Sequence, residues 1–356
     1  MYNRCCIFSR NPLCIWAEDC SFRGTLGAMT EVFWSVPNKT CCFSELDQHL
    51  TKTWETVRDK NIMRYRIEGL GTQKTRTLMY KGLSIIAQLA TERASTRRAP
   101  QEVTDIDQPF DNKSFNFTKI DSQEILLEKD NIHVIVNTSP VDYGSCLIIP
   151  NLELCLPQKI TEFGLQASLN TLIRSNSWCM RVGFNSLTAY ASVNHQHYHI
   201  YYLNQHLGVE MAAVKPLFGD TIYEFLDWPA KGFAFQLKEF DSLSLFISNV
   251  WKLVEYLQQN RIAHNMFITR GCPFEEEPQA DTYTAVRLFI WAREPSFGIK
   301  ERNGFNPALC ELAGHILVKD ETSFERITVE EAAEILSNVT TTPFESVKNA
   351  VNLIYS

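Results

Sequence analysis

Ala191-Ser192-Val193-Asn194-His195-Gln196-His197-Tyr198-His199-Ile200-Tyr201-Tyr202-Leu203 packs three of the chain's eight histidines into five residues. Val193, Tyr198, Ile200, Tyr201 and Tyr202 favour a strand. Side chains alternate along a strand, so His195, His197 and His199 are expected on one face, spread over about 13 Å at about 3.3 Å per residue. Core packing accounts for one histidine in such a place. It does not account for three in alternation, because each buried imidazole needs partners.

Working outward, residues 180–185 read as a second strand ending in a polar turn. Leu165, Leu169, Leu172 and Ile173 recur at helical spacing, which predicts a helix over 158–176. Residues 125–127 and 132–136 face each other across Lys129-Asp130-Asn131 as a hairpin, 146–150 reads as a short buried strand, and 115–120 alternates as another. His133, inside an apolar strand, reads as structural. A helix is expected over 45–60. The basic stretch 58–98, with Arg64, Arg66, Arg97 and Arg98, is either a solvated face or a surface that meets a phosphorylated ligand. Residues 1–42 read as an irregular leader, with order expected to start near Phe43.

Downstream, strands are expected at 232–235, 265–270 and 285–291, with an acidic loop over 271–281. Asp241 can cap a helix that carries Phe246, Val250, Val254 and Leu257 on one face. Two short helices are expected to close the chain, one opened by Thr328 with Glu331 and one by Thr342 with Glu345, the second with Pro343 in its first turn. The sum is α+β: two fused halves, 43–215 and 216–356, each of antiparallel sheet with packed helices. The second half lacks a histidine cluster of its own.

The chain has 356 residues, 45% hydrophobic and 21% charged, the balance of a soluble globular protein. A net charge of −7 argues against a nucleic-acid surface. No apolar run approaches the roughly 18 residues of a membrane helix, and the N-terminal stretch lacks the apolar core of a signal peptide. Eleven cysteines is an odd count, and Cys5-Cys6 and Cys41-Cys42 are adjacent. Neither suits a disulfide framework, so a reducing, cytoplasmic setting is expected. No Cys-x-x-Cys pair is present, which argues against a thiolate zinc site.

Three chemistries fit alternating histidines. They can ligate zinc around an open position, given carboxylates behind them. They can form a buried polar seam. Or the middle imidazole can be a nucleophile, neutral at physiological pH because its reference pKa is about 6.5, while its neighbours set its tautomer and hold phosphate. Asn185 and Ser192 are of the type that donates to phosphoryl oxygens.

His195-Gln196-His197-Tyr198-His199-Ile200-Tyr201 fits the His-x-His-x-His-x-x signature and resembles the histidine-triad superfamily of nucleotide hydrolases and transferases. Gly183-Phe184-Asn185, Asn137-Thr138-Ser139-Pro140, His264-Asn265-Met266-Phe267, Trp291-Ala292-Arg293, Phe297-Gly298-Ile299-Lys300 and the run from Asn306 to His315 extend the resemblance. They point to the GDP-sugar phosphorylase branch, that of animal GDP-D-glucose phosphorylases and plant GDP-L-galactose phosphorylases, from about residue 43 onward. The resemblance implies a histidine-triad-like fold similar to galactose-1-phosphate uridylyltransferase, with a degenerate second half. It implies GDP-glucose and inorganic phosphate as substrates, with no metal, no cofactor, no nucleic-acid partner and no membrane.

In that reading His197 takes the guanylyl group, glucose 1-phosphate leaves, and phosphate releases GDP. His195 and His199 orient His197 and touch phosphate oxygens. Asn185, Ser192 and Ser139 bind substrate. Glu311 and His315, four apart, are either an internal pair on one helix face over 309–317 or ligand-facing groups from the second half. Gly144 is followed by Ser145 where the family pattern has His. The alternatives are a histidine-triad hydrolase that uses water and a GDP-sugar-binding protein without catalysis.

Overall fold

The computed structural model describes residues 31–39, 43–276, 282–297 and 304–356. In chain order it holds β1 (Val36–Pro37), α1 (Glu45–Asp59), β2 (Thr75–Tyr80), β3 (Leu83–Leu89), α2 (Thr91–Thr96), β4 (Ile125–Lys129), β5 (Ile132–Val136), β6 (Cys146–Pro150), α3 (Glu162–Arg174), β7 (Met180–Asn185) and β8 (Tyr198–Tyr202). Then come β9 (Val214–Phe218), β10 (Ile222–Phe225), β11 (Phe233–Leu237), α4 (Leu243–Gln259), β12 (His264–Gly271), β13 (Thr282–Tyr283) and β14 (Ala285–Ala292). The last elements are α5 (Leu309–Leu312), β15 (His315–Val318), α6 (Glu321–Arg326), α7 (Val329–Lys348) and α8 (Val351–Tyr355).

Ten strands form one antiparallel sheet in the order β4-β5-β6-β8-β7-β12-β14-β11-β10-β9. The order is a palindrome of connectivity. A hairpin, a third strand, a helix and two more strands (β4, β5, β6, α3, β7, β8) recur as β9, β10, β11, α4, β12 and β14. The two copies meet at the middle, where Asn185 pairs with Asn265 and Gly183 with Phe267. One sheet face lies under α1, α3, α4 and α8, over a core that includes Trp54, Leu169, Val254 and Ile268. The other lies against the three-stranded sheet β15-β3-β2 and the helices α5 to α7, around Trp228, Trp291 and Leu336. The fold is α+β, as expected.

Local chemistry explains the elements. Ser44 caps α1, and Asp47 answers it in a capping box. Asp130 (φ 53°) and Asn131 (φ 62°) make the left-handed pair that a two-residue hairpin needs between β4 and β5. At the seam, a Cβ on Gly183 would sit 2.8 Å from the Met266 carbonyl oxygen. Gly183→Ala is therefore expected to lower the unfolding free energy by about 1–3 kcal/mol, read as a shift of the urea midpoint at unchanged m-value.

Several expectations are corrected. Residues 115–120 are not a strand. The Asn116 side chain accepts from Thr118 N–H (3.1 Å) and closes a 3₁₀ turn over Phe117–Lys119. Ser242, not Asp241, caps α4, while Asp241 accepts from Lys238 N–H. The two closing helices are a single twenty-residue α7 with Pro343 inside it, followed by the short α8. Proline leaves the carbonyl four residues earlier unpaired, and here Glu294 N–H takes the Val339 carbonyl (2.8 Å).

Within the expected leader, 31–39 is packed on the body. β1 pairs with β13, and Phe33 N–H donates to Ile173 O (2.7 Å). The rest of that leader, part of the loop 271–281 and Gly298-Ile299-Lys300 lie outside the described residues. Cys146, Cys155, Cys272 and Cys310 are reduced, whereas Cys179 is disulfide-bonded, a departure from the expectation of reduced cysteines. His133 sits in β5 beside Glu128 at 3.4 Å.

Candidate active site

The histidine strand is shorter than its sequence suggests. β8 begins at Tyr198, and residues 193–197 form a loop leading into it. Asn194 and Gln196 draw that loop off the sheet. Asn194 donates to the carbonyls of Gln108 and Pro109 (2.9 Å each) and accepts from Gln158 N–H, while Gln196 donates to Lys159 O (2.6 Å).

His197 is held at two points. Its backbone N–H donates to Gln158 Oε1, and its ring Nδ1 lies 2.8 Å from the His195 carbonyl. A carbonyl only accepts, so Nδ1 carries the proton and Nε2 keeps its lone pair. Burial pushes the His197 pKa down to about 4, so the ring is neutral at physiological pH. Gln158 also donates to the carbonyls of Asn185 (2.9 Å) and His197 (3.1 Å), tying the end of β7 to the start of β8.

The three histidines do not share one face. His197 and His199 line a cavity, with ring centroids 5.2 Å apart. Burial, reinforced by His197 and Arg93, holds His199 well below the usual histidine range. His195 lies behind them, off the cavity wall. Its Nδ1 accepts from Phe117 N–H (3.1 Å), and its ring packs against Phe110 and Phe117. It meets His197 through its backbone carbonyl. Among the described residues no three His, Cys, Asp or Glu side chains gather to hold a metal ion.

The cavity wall is mixed in origin. Asn185 Oδ1 accepts from Leu309 N–H (3.1 Å) and Asn265 Nδ2 (2.5 Å), which leaves its own NH₂ to donate. Ser139 lines the cavity, and Ser192 stands exposed at its rim. Arg93 of α2 donates to the carbonyls of Ser139 and Pro140. Arg97, Arg98 and Lys319 add positive charge to the wall. The basic stretch thus divides: its C-terminal end faces the cavity, while Arg66 pairs with Asp59 and Glu68 on the surface.

Glu311 and His315 part company. Gly314 (φ 92°) turns the chain between α5 and β15, so the two never share a helix face. Glu311 lines the cavity, its carboxyl pushed up to about 7 by burial and held back by its own and the Ala308 N–H. His315 is buried off the wall, with Nε2 on Gln88 Oε1 (2.8 Å) and Nδ1 facing Tyr201 OH (3.3 Å). Ser145 is also off the wall. Its hydroxyl accepts from Val141 N–H (3.2 Å) inside the loop that leads into β6.

Comparison with known proteins settles the kinship. The GDPGP1-like N-terminal domain matches residues 45–201, and the GDPGP1-like C-terminal domain matches 209–354. The chain belongs to the GDPGP1-like family. GDP-D-glucose phosphorylase 1 of Danio rerio is 38% identical over 312 residues, 84% of this chain and 89% of the relative. The Homo sapiens protein of the same name is 37% identical over 85% of this chain and 81% of its own length. GDP-L-galactose phosphorylase 2 of Arabidopsis thaliana is 27% identical over 80% of this chain and 70% of that protein. Among solved structures, yeast Ap4A phosphorylase Apa2 in complex with Ap4A superposes with a TM-score of 0.59 at 13% identity, covering 85% of this chain and 98% of that one. That likeness speaks to the fold alone.

Three wall or support residues of this GDPGP1-like chain escaped the sequence reading. Gln158 follows a proline in a segment without a motif. Lys319, just after β15, carries no pattern of its own, yet it reaches Asn306 Oδ1 (2.6 Å) at the cavity. Arg93 stood within the basic stretch without being singled out.

Proposed function

We propose that the protein is a GDP-D-glucose phosphorylase that converts GDP-glucose and phosphate to glucose 1-phosphate and GDP through a guanylyl-His197 intermediate. The observation that carries the reading is the His197 ring: neutral, its Nδ1–H donated to the His195 carbonyl, in a cavity walled by Arg93, Arg97 and Lys319. The relatives of the same family bear the names of GDP-sugar phosphorylases.

In the first step the Nε2 lone pair attacks the α-phosphorus. The P–O bond to the sugar phosphate breaks, and glucose 1-phosphate leaves. The adduct carries a positive imidazole, which the His195 carbonyl stabilises through Nδ1–H. In the second step phosphate attacks, the P–N bond breaks, and the ring returns to its neutral form. His199 stands beside the reacting phosphate, the Asn185 NH₂ and the Ser192 and Ser139 groups donate to phosphoryl oxygens, and Glu311 accepts from a hydroxyl of the substrate. His195 acts as a positioning residue. His315 supports β15 rather than substrate.

The division 43–215 and 216–356, with an architecture similar to galactose-1-phosphate uridylyltransferase, belongs to this proposal; the palindromic sheet supports two units, with the second opening at β9, so the boundary moves to just before Val214. A cytosolic setting also belongs to the proposal, resting on the odd cysteine count and the adjacent pairs, with the disulfide at Cys179 standing against it. None of the described helices is long and apolar enough to cross a membrane.

The test is turnover of GDP-glucose with and without phosphate. GDP and glucose 1-phosphate should appear together and only with phosphate; GMP as the sole nucleotide product would replace the phosphorylase with a hydrolase. The pH dependence follows from the site. With the His197 pKa near 4, the rate of guanylylation stays flat between pH 6.5 and 5. An ordinary histidine would already lose most of its neutral form there. The measurement belongs in Glu311→Gln, where the carboxyl titrating near 7 is removed. A rate that halves near pH 6.5 would contradict the buried, neutral ring.

A further inference from the structure

The phosphorylase reading requires a second phosphate to reach His197 after glucose 1-phosphate has left. A small side chamber opens off the catalytic cavity and shares Arg97, Tyr190, Ser192 and Asn306 with it. Ser296 and Gln101 complete its polar lining, and among the described residues no carboxylate lines it. Ser296 is 8% exposed, and its buried hydroxyl has no hydrogen-bond partner among the described residues. A buried donor left unmatched at a cavity wall is a vacancy for an acceptor. Arg97 is half-buried, and its guanidinium closes no hydrogen bond or ion pair among the described residues. Asn306 Oδ1 already takes Lys319 Nζ, so the Asn306 NH₂ is the group turned to donate. The Gln101 side chain is already engaged with Phe115 O (2.5 Å) and Asn194 N–H (2.7 Å).

Among the described residues, the Arg97 cation, the Ser296 hydroxyl and the Asn306 amide, with no acid beside them and apolar neighbours in Pro100, Val103 and Leu187, make a receptor for an oxyanion. Two phosphate groups could be its guest, the β-phosphoryl group of the nucleotide sugar or free inorganic phosphate. The chamber lies to one side of the His197–His199 wall and is bounded by Ser296, which does not line the main cavity. That favours a guest that arrives separately.

We propose that the side chamber holds the inorganic phosphate that accepts the guanylyl group, and that Arg97 and Ser296 favour phosphate over water as the acceptor. The inference rests on the phosphorylase reading. An oxygen of the held phosphate attacks the phosphorus of guanylyl-His197. The new P–O bond completes GDP, the P–Nε2 bond breaks, and its electron pair returns to Nε2. Nδ1 keeps its proton throughout, so no co-reactant is needed.

The experiment uses the full chain with Arg97→Ala, Arg97→Lys and Ser296→Ala. Guanylylation of the protein by GDP-glucose is followed in a single turnover without phosphate, and steady-state release of GDP and GMP is followed with phosphate varied. The expected result is a KM for phosphate raised roughly 10- to 100-fold in Arg97→Ala and several-fold in Ser296→Ala. GMP gains on GDP, out of proportion to any change in guanylylation rate, and Arg97→Lys recovers part of the loss. Ser296→Ala removes only an unpartnered hydroxyl, so its fold is not at stake. If guanylylation slows and the KM for GDP-glucose rises while the phosphate KM stands still, the chamber holds the β-phosphoryl group and the proposal falls. If the unaltered protein makes no GDP from phosphate, the phosphorylase reading itself has failed, and this inference with it.

Discussion

His197→Asn loses phosphorolysis by roughly 10⁴-fold or more and takes up no guanylyl group from GDP-glucose. The asparagine amide fills part of the same space and can still donate to the His195 carbonyl, so the loop before β8 keeps an anchor. What it lacks is a lone pair at the position of Nε2. The result is read as absence of acid-labile label on protein incubated with GDP-glucose labelled in the guanosine. His195→Ala makes the sharper comparison. If His195 acts through its carbonyl, as the 2.8 Å bond to His197 Nδ1 indicates, the alanine variant keeps that bond and loses far less than His197→Asn. Equal losses would mean that the His195 ring itself meets the substrate.

The second large effect lies away from the site. Arg181 of β7 and Glu210, just before β9, form an ion pair at 2.5 Å with both side chains fully buried. Glu210 also accepts from Tyr283 OH (3.1 Å) and Thr269 (3.3 Å), so it links the first copy of the sheet unit to the second. Glu210→Gln preserves shape and leaves the Arg181 charge uncompensated in the interior, which costs about 3–5 kcal/mol. Replacing both partners with apolar residues of similar volume recovers most of that loss. Urea unfolding of the single and double variants measures the two terms. A single-variant loss below about 1 kcal/mol would mean that water reaches Arg181.

Much of this was legible in the sequence where one local rule dominates. The Asp130-Asn131 turn, the capping box at Thr328 and the β-branched run of β5 each call for one structure only. That the histidine run would build a site was also within reach, because alternating histidines have few other uses, and His197 and His199 do line the cavity. Legibility ended where a distant partner decides. Nothing near Pro343 says that Glu294 will take up the carbonyl it frees, so the helix appeared to break there. Nothing near His195 says that Phe117 N–H will hold its ring behind the cavity. The spacing of Glu311 and His315 suggested one helix face, and a single left-handed glycine overturned it. The structure separates side chains that the sequence spaces alike, because burial and hydrogen bonding act between segments more than 75 residues apart.

The palindromic sheet has a consequence for how this protein meets dilution. A lone copy of the unit would end at β7 or β12 with its edge groups unpaired, an invitation to self-association or aggregation. Two separate copies would have to find one another, and their pairing would weaken as concentration falls. Here a short link between β8 and β9 makes the encounter intramolecular, at an effective concentration fixed by the tether rather than by expression level. Asn185 depends on Asn265 and Leu309 of the other copy for its orientation. The cavity is therefore complete in every molecule, however scarce, so long as the second copy keeps its register at the seam.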